Sequence, residues 1–505
     1  MYACHMILES VLRKSYLMNN LQSRFKPLFD PKSIAFIGAS NTPQKWGYIV
    51  LKNLINGGYH GKIFPINPKE KQVLGIKAHS HIWDLPQIPD MAVIVIPAPA
   101  VPEVIAECVD KGVHAGLIII AVCAEVGGDG EKFQKIIVEK AQKGNMILVG
   151  PNSNGIARPR TIFFLQMPSV FPEPGLIGIV SKSGNVAASL IRRSVKTGFG
   201  ISCMISTGNE ADLHCEDYFS YLGSDSETKV IISYVEGFRD GRRFFDAAKN
   251  VTTQKPMVMI KAGETDAGAE AAKSHTASLA GLEAACRGAC RQVGITLVDN
   301  LEDLFNAGIG FLNQPIPRSN RTAILTTGGG WEVLAADASS RYGLDVVRLS
   351  HKTLAALDEI LPSWWNPGNP VDMVADNIEG AMMKSVEVLL KDPEIDCIIL
   401  LGITEFLESR PVFNKMSPET IEDHLMEINQ QLASAFETLR EMSHFYEKPV
   451  ISATEIPFAV GDMEERIFYK LGKIGFALYK TPDTATKILS YLVSYGKYLN
   501  SIDSD

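Results

Sequence analysis

The stretch that decides the fold is Ser33-Ile34-Ala35-Phe36-Ile37-Gly38-Ala39-Ser40-Asn41, followed at Trp46-Gly47 by a helix-forming run. A short apolar strand that ends in small residues and leads into a helix opens a doubly wound βαβ unit, where backbone N–H groups and a helix N-terminus can meet an anion. Working outward, apolar runs at 63–66, 91–96, 116–121 and 146–149 alternate with helix-like stretches, which predicts a parallel α/β domain. A Pro-rich connector at 167–175 (MPSVFPEPG) precedes a second such unit with strands near 177–180, 201–206, 230–234 and 257–261. A polar break at 313–321 (NQPIPRSNR) precedes a third, with strands near 323–327, 345–349, 397–403 and 450–453. Three α/β domains in tandem are expected.

The length agrees. A chain of 505 residues exceeds the roughly 250–300 that one hydrophobic core supports. With 46% hydrophobic and 21% charged residues it is an ordinary globular protein, which excludes disordered, collagen-like and coiled-coil readings. A net charge of −8, with no basic run interleaved with aromatics, argues against a nucleic-acid surface. The eight cysteines lack metal-ligand spacing, and Cys286 and Cys290 have no second pair or His cluster beside them, so a reduced, cytoplasmic protein without a metal site is expected. The longest apolar runs, 117–123 and 397–403, fall far short of the ~20 residues of a membrane span. Glu9, Arg13 and Lys14 interrupt the N-terminal apolar residues, so residues 1–25 read as a tail or short helix and not as a signal peptide.

Three strand-to-helix junctions carry the chemistry. The strand after the first turn ends in Asn67-Pro68-Lys69, where an NAD-binding domain would place an acidic residue for the ribose; a lysine suits a ligand with an additional phosphate. The second junction, Ser181-Lys182-Ser183-Gly184-Asn185, combines hydroxyls, a glycine and a helix start into an anion cradle. The third is Thr326-Thr327-Gly328-Gly329-Gly330. Glycine turns in two consecutive domains suggest two helix dipoles aimed at one phosphoryl group. His275 projects from a Gly/Ala-rich segment (AGETDAGAEAAKSHTAS), a poor way to build a core and a usable way to build a carrier. Its imidazole is mostly neutral at about pH 7 and can attack phosphorus. Glu236, at a strand end, can orient that ring. In the last domain, Ile421, Leu425, Ile428, Leu432, Leu439 and Met442 mark one apolar face of a long helix that begins at Ser417-Pro418 and is expected to pack on its own domain.

In this order, FDPKSIAFIGAS, IFPINPK, VGPNSNGI, IVSKSGNVAASL, STGNEADL, YVEG, KSHTASLAG, TTGGGWEVLAADA and NPGNPVDM resemble the nucleoside-diphosphate-forming acyl-CoA synthetases, relatives of succinyl-CoA synthetase, in their alpha (acetate–CoA ligase) portion. The resemblance implies an N-terminal Rossmann-like CoA-binding domain over 26–160, then two flavodoxin-like domains over 161–314 and 315–505. It implies CoA contacts at Gly38, Ala39, Ser40, Lys45, Asn67, Lys69, Pro97 and Asn152, and a phosphorylated His275 positioned by Glu236. Phosphate binding falls at Ser181, Ser183, Gly184 and Asn185 and at Gly328, Gly329 and Gly330. The implied reaction is acyl-CoA + ADP + phosphate = carboxylic acid + CoA + ATP, through an acyl phosphate. ADP/ATP and Mg²⁺ would be held by a separate ATP-grasp beta subunit in an alpha2beta2-type heteromer. A CoA-binding regulatory or scaffold protein is the alternative; an NADP-dependent oxidoreductase leaves the His275 segment unexplained. The sequence departs from the family at Ser153 (often Cys), Lys182 (often Gln) and Ala277 (often Gly), and the stretch 405–446 is longer than expected.

Overall fold

The computed structural model describes residues 21–121, 129–265, 267–268, 283–374, 380–402, 418–454 and 463–503. Its three main sheets follow the three sequence units. In the first, the order is Lys62–Ile66, Ser33–Ile37, Met91–Ile94, Ala115–Ile118, Ile147–Val149, all parallel. The second has Ile201–Ser206 and Val230–Val235 on either side of Pro174–Ser181, continues to Met257–Lys261 and Thr296–Leu297, and ends at its other edge in two antiparallel strands, Gly155–Arg158 and Phe163–Gln166. In the third, Arg321–Thr326 has Asp345–Val346 on one side and Cys397–Leu401 on the other, followed by Val450–Ala453 and Leu478–Tyr479. Strands such as Cys397–Leu401 are buried along their whole length, as continuous apolar runs covered on both faces must be.

One topological feature positions the three strand-to-helix junctions. Within each sheet the opening parallel strand has its successor on one side and later strands on the other. The connections leave it in opposite directions, so a crevice forms at its carboxyl end. Those three ends are Gly38, Lys182 and Thr327, the junctions singled out from the sequence.

The chain forms two compact units, one built on residues up to Leu301 and one from Glu302 onward. Within the first unit, one apolar core runs through both sheets: Phe25, Leu28 and Phe29 of the helical stretch 21–29 pack with Tyr218, Phe219 and Tyr221, and the Phe29 and Tyr221 rings lie 4.4 Å apart. The first two domains therefore share a core. The antiparallel pair straddles residue 160 and belongs to the second sheet, since register between Met204 and Ala157 fixes it there. The third sheet has its own core, which Phe436, Leu439 and Met442 of the helix Pro418–Phe445 enter, so the described part of that long helix packs on its own domain. Residues 403–417, Ser417 included, and the side chains of Ile421, Leu425, Ile428 and Leu432 lie outside what the structure describes.

Candidate functional site

The crevice of the first sheet opens into a cavity of about 960 Å³. All eight residues expected to contact CoA line it: Gly38, Ala39, Ser40, Lys45, Asn67, Lys69, Pro97 and Asn152. The chain builds this cradle by close backbone approach. Gly38 has φ +89°, and a Cβ there would stand 2.1 Å from the Val95 carbonyl oxygen, so only glycine fits. A Cβ on Gly47 would stand 2.0 Å from the Gly38 oxygen, which brings the start of the helix Trp46–Asn56 directly against the turn. That helix start has no side-chain cap and no acidic residue in its first turn, and its orphan N–H groups suit an anion. Asn67 holds the opposite wall: its Nδ2 donates to the Ala39 oxygen (2.8 Å), and its Oδ1 accepts from the Lys69 N–H (2.8 Å).

Two of the lining residues lead from the cavity to the second sheet. Asn152, at φ +60°, donates through Nδ2 to Asn209 Oδ1 (3.3 Å). Asn154 lines the cavity, and its amide fills the space where a Cβ on Gly184 would stand, 2.2 Å from Asn154 Cγ. The segment 206–213, the STGNEADL motif, is tied to the same wall: the Asn209 and Ala211 N–H groups donate to Pro151 and Gly150 oxygens, and Asp212 accepts from the Leu148 N–H at 2.9 Å. Ser153, where the family often has Cys, is buried; its hydroxyl donates to the Ser206 oxygen (2.5 Å) and accepts from the Gly155 N–H (3.0 Å). A hydroxyl here clamps the first sheet's exit to the second sheet.

At the second junction, Ser181 Oγ donates to the Ser183 oxygen (2.7 Å), closing the turn from which the helix Gly184–Thr197 starts with no acidic residue in its first turn. Register sets Ser181 beside Tyr234, and the Lys182 N–H donates to the Tyr234 oxygen (3.0 Å), so Glu236 emerges next to this turn. Glu236 Oε2 is buried with no hydrogen-bond partner among the described residues. Burial first, and then the charge of Glu236, push the Tyr234 phenol up. Lys182 is itself buried, near Glu210, whose carboxyl is pushed up by burial against the opposing pull of Lys182 and of the Thr207 hydroxyl that donates to it at 2.9 Å. His275 and the rest of 269–282 lie outside the described residues, Ala277 included.

The third junction lies in the other compact unit. Gly328 caps the helix Gly329–Arg341 without a side-chain hydrogen bond, its N–H donating to Thr326 Oγ1 (3.1 Å). A Cβ on Gly330 would have nothing within 4 Å, so packing does not demand glycine there. Two carboxylates stand beside the turn: a Cβ on Gly329 would lie 3.6 Å from Asp372 Oδ2 and 3.8 Å from Glu332 Oε1. Burial, then Asp372, push the Glu332 carboxyl up.

Sequence reasoning missed Trp46, His81, Glu107 and Met167 as cavity residues. Only Trp46 carried a signal, because it adjoins Lys45 and Gly47. The His81–Glu107 pair (Nε2 to Oε1, 3.1 Å) joins segments 26 positions apart that have no common pattern. Among the described residues no group of three or more His, Cys, Asp or Glu is placed to hold a metal, and no helix is long and apolar enough to cross a membrane.

Family models match in succession along the chain: a CoA binding domain over residues 32–159, a succinyl-CoA ligase like flavodoxin domain over 174–309, and a Ligase-CoA domain over 322–466. The chain is 34% identical to acetate–CoA ligase [ADP-forming] II subunit alpha of Pyrococcus furiosus, over 93% of this chain and 97% of that protein. It is 37% identical to acetate–CoA ligase [ADP-forming] I of Archaeoglobus fulgidus over 74% of its length, spanning 54% of that longer protein. Among solved structures it superposes with a TM-score of 0.81 and 28% identity on the dinucleotide forming acetyl-coenzyme A synthetase 1 of Ca. Korarchaeum cryptofilum, determined with phosphate and ADP, covering 95% of this chain and 98% of that one.

Proposed function

Because the chain belongs to the ADP-forming acetate–CoA ligase family, in its alpha-subunit form, we propose that it is the CoA-binding, phosphohistidine-carrying subunit of an acid–thiol ligase. The observation that carries this reading is the shared wall at Asn154, which lines the first-sheet cavity and packs on Gly184 of the second-sheet turn. A thioester bound in the one can present its acyl carbon to a phosphate held at the other.

The cavity fits CoA: it pairs an uncapped helix start and Lys45 and Lys69 on one side with Ile96, Val104, Ile119 and Met167 elsewhere, as a ligand with phosphates and a long pantetheine arm requires. Ser181, Ser183, Gly184 and Asn185 hold phosphate at the second junction, and Gly328, Gly329 and Gly330 do so at the third, through backbone N–H groups fixed in advance of the reaction. Phosphate attacks the acyl carbonyl, the C–S bond breaks, and acyl phosphate and the CoA thiol result. An imidazole nitrogen of His275 then takes the phosphoryl group as the carboxylate leaves, with Glu236 accepting from the ring's second nitrogen. That Oε2 of Glu236 has no hydrogen-bond partner among the described residues supports that assignment. Phosphohistidine finally passes the group to ADP.

ADP and Mg²⁺ are held by a separate ATP-grasp beta chain, in an α2β2-type assembly. Support comes from relatives that are alpha subunits matched over 97% of their length and a longer relative of which this chain spans 54%. The six described cysteines are unbridged, in keeping with a reducing cytoplasm. The reading is tested by incubating the purified chain with acetyl-CoA, and with a panel of other acyl-CoA thioesters, plus phosphate. Phosphate-dependent thiol release that falls on Lys45→Ala and Lys69→Ala substitution is expected; no binding of any CoA species would overturn it.

A further inference from the structure

Among the described residues two aromatic rings line the first-sheet cavity, Trp46 and His81. They sit in opposite electrostatic settings. His81 Nε2 lies 3.1 Å from Glu107 Oε1, so its ring is flanked by a carboxylate. Trp46 is the first residue of the helix Trp46–Asn56, directly after the uncapped Lys45, and lines the cavity together with Lys69. Neither lysine has a carboxylate partner among the described residues. The indole is 50% exposed while its neighbour Gly47 is buried, so Trp46 is not there to fill a core.

The adenine of CoA is carried at C1′ of a ribose that bears the pyrophosphate at its 5′ oxygen and a phosphate at its 3′ oxygen, so both anions sit on the same sugar as the base. Its stacking partner must be an aromatic ring among cations and away from carboxylates. Of the two lining rings only Trp46 meets that condition, and a half-exposed indole offers a π-face at no cost in internal packing. Resting on the CoA reading above, we propose that Trp46 is the platform on which the adenine ring stacks. It is thus the residue by which this cavity distinguishes CoA from its pantetheine portion. His81, held by Glu107, takes no part in base recognition.

The test is calorimetric titration of the full chain and its Trp46→Leu and Trp46→Phe variants with CoA and with 4′-phosphopantetheine, each variant first checked for an unchanged thermal transition. Trp46→Leu is expected to weaken CoA about tenfold or more and to leave 4′-phosphopantetheine unchanged. Trp46→Phe keeps a ring and is expected to retain most of the affinity. Quenching of indole fluorescence by CoA should vanish in Trp46→Phe. Wild-type CoA affinity in Trp46→Leu would overturn the inference and leave the CoA site standing. Equal weakening of both ligands would overturn it by making Trp46 a structural residue. If the wild-type chain bound neither ligand, the CoA reading itself would fall, and the inference with it.

Discussion

Replacing Gly47 by Ala separates the two elements of the cradle. The added methyl would stand 2.0 Å from the Gly38 carbonyl oxygen, against about 3.5 Å for an ordinary contact. The obstacle is backbone, and Gly38 cannot yield, because its own Cβ position is 2.1 Å from the Val95 oxygen. The start of the helix Trp46–Asn56 must therefore lift by an ångström or more. Overpacking of this kind costs about 1–3 kcal/mol, and the better helix propensity of Ala offsets about 1 kcal/mol of it, leaving a net loss of about 0–2 kcal/mol. Binding suffers more, because the N–H groups of the helix start and Lys45 leave the turn together; CoA affinity should fall at least tenfold, or about 1.4 kcal/mol. Urea denaturation reads the first quantity and titration calorimetry the second. A Gly47→Ala chain with wild-type midpoint and wild-type CoA affinity would refute the apposition of turn and helix as the basis of the site.

Gly330→Ala is the opposite case, since its Cβ meets nothing within 4 Å. It should stabilise the third domain by about 0.5–1 kcal/mol in thermal or urea unfolding, and a loss of stability would contradict the open space at that helix start. Cys286 has its thiol pulled down to about 7, chiefly by the hydrogen bond with Cys290 and further by Lys261 and Arg287, whereas burial pushes the Cys108 and Cys203 thiols up to about 12. Because the thiolate reacts, iodoacetamide labelling followed by peptide mapping should modify Cys286 first, with a rate that rises through about pH 7 and levels off above it. In Cys290→Ala that rise should move to higher pH, and an unmoved profile would show that the Cys290 contact is not its cause.

How much of this was legible in the sequence depended on whether a feature is local. Gly38, Ser181 and Gly328 each lie at the end of an apolar run and precede a helix, so the three crevices could be found from adjacent residues, whereas Pro97 and Asn152 came only through the family resemblance, and the structure sets both with Asn67 around the first crevice. The strands Gly155–Arg158 and Phe163–Gln166 precede the Pro-rich connector, which reads as a domain break, and only the antiparallel pairing of the first with Ile201–Ser206, and of the second with the first, assigns them to the second sheet. His81 and Glu107 meet through tertiary packing alone. The same holds for the Asn154 amide against Gly184, a contact that no spacing encodes although both residues stand in motifs quoted from the sequence.

In the proposed reaction this chain takes a phosphoryl group onto His275 from an acyl phosphate formed with CoA as the leaving thiol. Its most direct test is incubation of the full chain with acetyl-CoA and radiolabelled phosphate, followed by quantification of protein-bound label before and after mild acid. Acid-labile label on the wild-type chain, absent from His275→Ala and much reduced in Glu236→Gln, is the predicted result. Undiminished acid-labile label on His275→Ala would contradict the account.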